Sequence, residues 1–270
     1  MQKIAIVPTL LTLGNGVCGF AAIAYASKIG PDAPKDAVNS YFVLSACLIL
    51  TAMVFDALDG YAARLSKTAS DFGGQLDSLC DVVSFGAAPA FLVLRLCQDW
   101  QSTPLVAKAV SVVAALYLAC AILRLARFNV ENSPDPAAHK RFKGLPSPAA
   151  AGCIASLAIL RAELPSTWTG LHEAQVRDFV NVWAPLGALT VALLMVSRLS
   201  YPHFTKQLLR GRRPFRFVVQ AVLLVAVIAF VPDLAFFLIF WGYALNGPAR
   251  YLLARALRRG AVPTHHPSVE

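Results

Sequence analysis

Apolar stretches of near-spanning length recur along this chain, at about 9–27, 41–62, 80–97, 105–127, 147–163, 181–197, 216–231 and 234–254. A helix needs about 20 mostly apolar residues to cross a ~30 Å hydrocarbon core, so eight such stretches constrain the architecture before any other feature is weighed. Backbone N–H and C=O groups find no water in hydrocarbon, which leaves helices or a closed barrel as spanning forms. The ten-residue alternation of barrel strands is missing, so the segments read as helices. Several are short for the core, which tilt, re-entry or merging would accommodate. Composition agrees: 57% of the 270 residues are hydrophobic and 14% charged, against about 25% charged in a soluble domain. The expected fold is an all-α, polytopic membrane bundle of about eight transmembrane helices. It forms a single domain over 1–256, with a flexible cytoplasmic tail at 257–270.

The net charge of +9 fits basic cytoplasmic loops better than a nucleic-acid partner, because no basic segment is interleaved with aromatics on a polar module. With the N-terminus inside, eighteen of the 24 Lys and Arg fall on the cytoplasmic side. Both termini are then cytoplasmic, and so is the segment 56–81. The strongly basic loop 198–216 reads as a topology determinant beside anionic headgroups. Thr9–Ser27 reads as a first span, not a cleaved leader, since Lys3 alone precedes it and Asn15 lies within it. The six cysteines lie singly, with no C-x-x-C pair, and read as small buried hydrophobes. The five histidines show no ligand spacing with the acidic residues and receive no role.

Acidic residues are scarce, yet Asp56, Asp59, Asp77 and Asp81 crowd into one window at a membrane edge. Spacings of three and four put each pair on one helix face. A linker over 64–76 would let the two helices fold back antiparallel, so that all four carboxylates converge. Four uncompensated carboxylates would repel each other and resist desolvation, so they call for cations. Carboxylate oxygens suit hard ions such as Mg²⁺, Mn²⁺ or Ca²⁺, not zinc. Two such ions about 4 Å apart are the common device for phosphoryl chemistry. Gly60 and Gly73 leave room beside the acids, Ala63 is small on the same side, and Arg64 can fork onto a phosphate. Taken alone, the acids would also suit an ion pathway.

The whole string, Asp56-x2-Asp59-Gly60-x2-Ala63-Arg64-x8-Gly73-x3-Asp77-x3-Asp81, resembles the signature of the CDP-alcohol phosphotransferase family at every fixed position. Eight fixed residues at ordinary usages would align at a given start on the order of once in 10⁹, so the signal is specific. The resemblance implies transfer of a phospho-alcohol group from a CDP-alcohol to a second alcohol, with release of CMP. It implies two divalent cations, Mg²⁺ or Mn²⁺: Asp56, Asp59 and Asp77 holding one, and Asp56, Asp77 and Asp81 the other. Asp81 would be the general base on the acceptor hydroxyl. Gly60, Ala63, Arg64 and Gly73 would line the CDP site. It also implies a homodimer with six core helices per chain, so that eight spans add two.

Three further stretches resemble the serine-using members, the phosphatidylserine synthases. They are Pro8 to Asn15 running on to Cys18-Gly19-Phe20, Arg124-Leu125-Ala126-Arg127-Phe128-Asn129, and Phe142 to Gly152. The resemblance is clear to about residue 160. Thr9 departs from it, since many members carry Asn after the Pro, and Thr9 receives no role. The donor implied is CDP-diacylglycerol and the acceptor L-serine, at the cytoplasmic membrane of a prokaryote. Arg124, Arg127 and Lys143 would either anchor the protein at the headgroup zone or form a cationic pocket for the lipid phosphate or the serine carboxylate, with Asn129 adding an amide. Thr12 and Asn15, polar within a span, suit hydrogen bonds near the nucleotide. Glycerol phosphate, inositol phosphate or choline would be alternative acceptors for the same chemistry. A divalent-ion transporter would need acids along a path, and spans four to eight contain almost none.

Overall fold

The computed structural model describes residues 6–66, 71–100, 103–131, 144–167, 173–199, 201 and 232–260. These form helices α1 (Ile6–Ser27), α2 (Lys35–Ser66), α3 (Asp71–Asp81), a π-helical stretch (Val82–Ala87), α4 (Ala88–Leu96), α5 (Pro104–Glu131), α6 (Ser147–Thr167), α7 (Glu173–Val196) and α8 (Pro232–Gly260). The described residues contain no strand. Among the described residues, six helical stretches are long and apolar enough to cross a membrane: Ile6–Ser27, Ala37–Ala63, Phe72–Leu96, Pro104–Val130, Ser147–Leu164 and Glu173–Val196. The expected span at 216–231 lies outside the described residues. The one at 234–254 is part of α8, which is not among those six.

Two boundaries differ from the sequence reading. The linker expected over 64–76 is largely helix, because α2 runs on through Ser66 and α3 begins at Asp71. Gly73 and Gly74 lie inside α3, where an interior glycine costs a helix only about 1 kcal/mol, which packing offsets. At the other end, α8 continues through Gly260, so residues 257–260 are helical where a tail was expected.

The packing centres on α6, whose residues Ala150–Ala162 are buried throughout. It touches α2, α7 and α8. Its small side chains allow close approach: a Cβ on Gly152 would run into the Phe240 ring of α8. Entry into α6 is fixed by Gly144, whose φ of +95° is a conformation open chiefly to glycine. A Cβ there would also strike the Met195 carbonyl. The Gly144 N–H donates to Leu199 O at 2.8 Å and the Leu145 N–H to Leu194 O at 2.9 Å, tying this corner to the end of α7.

Helix α1 lies against both α2 and α3. Gly16 faces Cys80 and Gly19 faces Ser84, where a Cβ would collide. The π stretch after Asp81 is held on both sides. Ser84 Oγ donates to Asn15 O at 2.9 Å, and the Tyr117 hydroxyl donates to Phe85 O at 3.1 Å. Such stretches widen a helix and free carbonyls for partners of this kind. Outward, Leu10, Val17, Phe20, Val112, Leu123, Leu186 and Leu193 are exposed. That apolar exterior matches an integral membrane protein.

Candidate active site

Helices α2 and α3 deliver the acidic side chains to one end of the bundle. One ligand oxygen each from Asp56, Asp59 and Asp77 lies within 4.8 Å of the others. Asp81, one turn after Asp77 and only 7% exposed, lies within electrostatic range of Asp56, Asp77 and Asp59. The convergence expected of the four carboxylates is therefore tight for three, with the fourth beside them. Gly60 follows Asp59 on α2, and a Cβ there would meet nothing within 4 Å. Open space thus adjoins the cluster at that glycine.

Helix α1 supplies the polar contacts. Asn15, fully buried, donates through Nδ2 to Asp81 Oδ1 at 2.9 Å. Thr12 lies within hydrogen-bonding reach of Asp59, and its hydroxyl donates to Pro8 O at 3.0 Å. Both residues, placed near the nucleotide by the sequence reading, face the aspartates themselves. The close approach of α1 at Gly16 and Gly19 is what brings them there.

Whether a cation suits this end is testable from what is left unpaired. Asp59 Oδ2 and Asp77 Oδ1 are buried with no hydrogen-bond partner among the described residues. A desolvated carboxylate oxygen without a donor is costly. One carboxylate oxygen each from Asp56, Asp59 and Asp77 within 4.8 Å of the others forms an all-oxygen donor set, which fits a hard divalent ion. The aspartate cluster can thus hold a metal ion.

The basic residues divide. Arg124, on α5, turns toward the cluster: it feels the Asp81 carboxylate, and its Nη1 donates to Ser147 Oγ at 3.1 Å. Its Nε is buried without a partner. Asn129 sits against α3, with Nδ2 donating to Ser78 Oγ at 2.9 Å. Arg127 is half-buried on the same helix end. Ala63 and Gly73 lie half-buried on α2 and α3. Arg64 lies in the last turn of α2, its side chain outside the description, and Lys143 lies outside the described residues. Ser78, Ser147 and Tyr243 were not singled out from the sequence. Ser147 stood within a quoted stretch, but nothing marked its hydroxyl as the partner of an arginine 23 residues earlier.

A bundle of apolar helices with an oxygen-rich cluster at one end defines a membrane protein with a candidate site for a divalent cation. The chain belongs to the CDP-alcohol phosphatidyltransferase family, whose sequence profile matches residues 5–196, and it is a transferase. Among similar curated proteins is the CDP-diacylglycerol–serine O-phosphatidyltransferase of Methanocaldococcus jannaschii, 29% identical over 93% of this chain and 97% of its own. The protein of that name from Bacillus subtilis is 31% identical over 74% of this chain and 92% of its own. The archaetidylserine synthase of Methanothermobacter thermautotrophicus is 31% identical over 72% of this chain and 69% of its own. The first similarity spans far more than the stretch to residue 160 over which motif resemblance was clear.

Proposed function

We propose that this chain transfers the phosphatidyl group of CDP-diacylglycerol to the hydroxyl of L-serine, releasing CMP. The observation that carries the chemistry is the gathering of Asp56, Asp59 and Asp77 with two buried, partnerless carboxylate oxygens. The acceptor is supported by relatives named for serine across 72–93% of this chain.

Asp56, Asp59 and Asp77 hold one divalent cation, and Asp56, Asp77 and Asp81 a second, with Mg²⁺ or Mn²⁺ the ions whose chemistry fits. When bound, they supply neutralisation of the diphosphate and of the charge that builds on it. Gly60, Ala63, Arg64 and Gly73 line the CDP subsite, with Gly60 opening onto free space. Thr12 and Asn15 orient Asp59 and Asp81. With Oδ1 fixed by the Asn15 amide, Asp81 takes the serine hydroxyl proton on its other oxygen. The serine oxygen bonds to the phosphorus bearing diacylglycerol. The bridging P–O bond breaks, and CMP leaves with the electron pair. No covalent enzyme intermediate is needed, so the gain is positioning and charge neutralisation. Arg124, Arg127 and Lys143 form the cationic rim for the lipid phosphate or the serine carboxylate, and Asn129 adds an amide.

The reading extends to topology. The catalytic domain covers 1–256 with eight spans, both termini in the cytoplasm and the aspartates at the cytoplasmic face, in the inner membrane of a prokaryote. The working unit is a homodimer. A membrane assay tests the activity: CDP-diacylglycerol is offered with labelled serine, glycerol phosphate, inositol phosphate or choline, with and without Mn²⁺ or Mg²⁺. Metal-dependent phosphatidylserine is expected. A product carrying another headgroup overturns the acceptor.

A further inference from the structure

The helix carrying Asp77 and Asp81 changes its winding before it becomes α4. Over Val82–Ala87 the hydrogen-bond ladder takes one more residue per turn, and the Ala88 N–H donates to Val83 O, five residues back. The two sides of this stretch are docked separately. Upstream, α3 is fixed against α1: Asn15 Nδ2 donates to Asp81 Oδ1 at 2.9 Å, and a Cβ on Gly16 would sit 3.0 Å from Cys80 Sγ. Downstream, α4 packs on α5 and α6 with Leu92, Val93 and Leu96 fully buried. Successive α-helical residues are about 100° apart. With α4 packed as it is, an unbroken α-helix over Asp71–Leu96 would swing the aspartates by about that angle, away from Asp56 and Asp59 on α2.

The sequence supplies a cause for the wide turn. In an α-helix the donor to Phe85 O is residue 89, which here is Pro89. Proline has no N–H, and its ring clashes with the carbonyl four residues back. Widening the turn relieves that clash. Tyr117 of α5, fully buried, then donates its hydroxyl to Phe85 O at 3.1 Å. Helix α5 lies close enough that a Cβ on Gly86 would come to 3.0 Å of the Leu118 side chain. On the α1 side, Ser84 Oγ donates to Asn15 O at 2.9 Å. We infer that Tyr117 is a positioning residue: it takes the Phe85 carbonyl that Pro89 leaves without an α-helical donor, and so holds the wide turn that aims Asp77 and Asp81 at their partners on α2. The inference rests on the aspartate reading given above.

The test uses the full-length protein in lipid nanodiscs. In Tyr117→Phe, which keeps the ring and removes the hydroxyl, the Mn²⁺ dissociation constant read by electron paramagnetic resonance rises about tenfold, the scale for groups that orient metal ligands. At saturating Mn²⁺ its kcat also falls about tenfold, with the KM values for serine and CDP-diacylglycerol within about twofold. Arg161→Met, at the opposite end, lowers the melting temperature yet leaves Mn²⁺ affinity and kcat unchanged, which separates aiming from stability. Pro89→Ala returns an N–H to Phe85 O, permits α winding and gives the same two losses; it serves if Tyr117→Phe misfolds. In the Pro89→Ala background, Tyr117→Phe adds less than about twofold, because both act on one carbonyl. Mn²⁺ affinity and kcat within about twofold of wild type in both variants, or equal losses in Arg161→Met, overturn the proposal. If the wild-type protein binds Mn²⁺ but forms no phosphatidylserine, the acceptor reading fails while the Mn²⁺ comparison still decides this inference.

Discussion

The Arg161 guanidinium donates to Asp99 at 2.8 Å and to the Leu96 carbonyl at 2.6 Å, and lies over the Phe42 ring. About 21 Å away along α6, on the Ser147 side, Asp59 and Asp77 keep carboxylate oxygens that no described residue satisfies. The Arg161 end also sets Lys28 over Tyr25, at 4.7 Å. The polar atoms left partnerless near it, Asn181 Oδ1, Gln98 Oε1, Trp183 Nε1 and Arg95 Nε, carry no negative charge between them. A carboxylate is thus paired at one end, while carboxylate oxygens are left unpaired at the other. The unmatched end is where a cation from outside has a place, and the matched end is where charge contributes to holding the helices.

That contrast makes opposite demands on mutants. The largest effect belongs to Asp77→Asn. Phosphatidylserine formation should fall at least about 10³-fold, as expected when charge-stabilising machinery loses a member. Its melting temperature in chelator should stay equal or rise, since like-charge repulsion is relieved. A lowered melting temperature would mean that the carboxylates are structural after all. Next is Asn15→Ala, which removes the amide on Asp81 Oδ1. A loss of about 10–100-fold in kcat is expected, the range for groups that orient a ligand side chain. Unchanged kcat would remove α1 from the site.

Gly19→Ala comes third. Its Cβ would push into Ser84, so α1 must shift, at a cost of about 1–3 kcal/mol for overpacking. Because α1 carries Thr12 and Asn15, kcat should fall several-fold along with stability. Arg161→Met should change activity least. Breaking a well-buried pair costs about 3–5 kcal/mol. Asp99 is 39% exposed, so about 1–3 kcal/mol is expected here, read as a lower melting temperature with both KM values within about twofold. A change in metal dependence in that variant would erase the distinction between the two ends.

The sequence made the aspartate end legible because its chemistry demands particular residue types at fixed spacings. Asp56, Asp59 and Asp77 meet as the two helix-face pairs suggested. The helices of the bundle were legible from apolar length, since hydrocarbon leaves the backbone no other economical form. Contacts between distant segments were not legible. Nothing local marks α1 as the helix lying against both α2 and α3, because that follows from Gly16 and Gly19 meeting Cys80 and Ser84 across more than 60 residues. The π stretch at Val82–Ala87 carries no compositional sign within its own residues, and its support from Tyr117 is equally remote. The same holds for Ser147, whose meeting with Arg124 depends on how α5 and α6 pack.

Manganese binding to the purified protein, read by loss of the free Mn²⁺ electron paramagnetic resonance signal, reaches the account most directly. The wild-type protein should take up Mn²⁺, Arg161→Met should do so equally, and Asp77→Asn should lose that uptake. Wild-type protein that leaves the Mn²⁺ signal untouched, or uptake that survives Asp77→Asn unchanged, would contradict it.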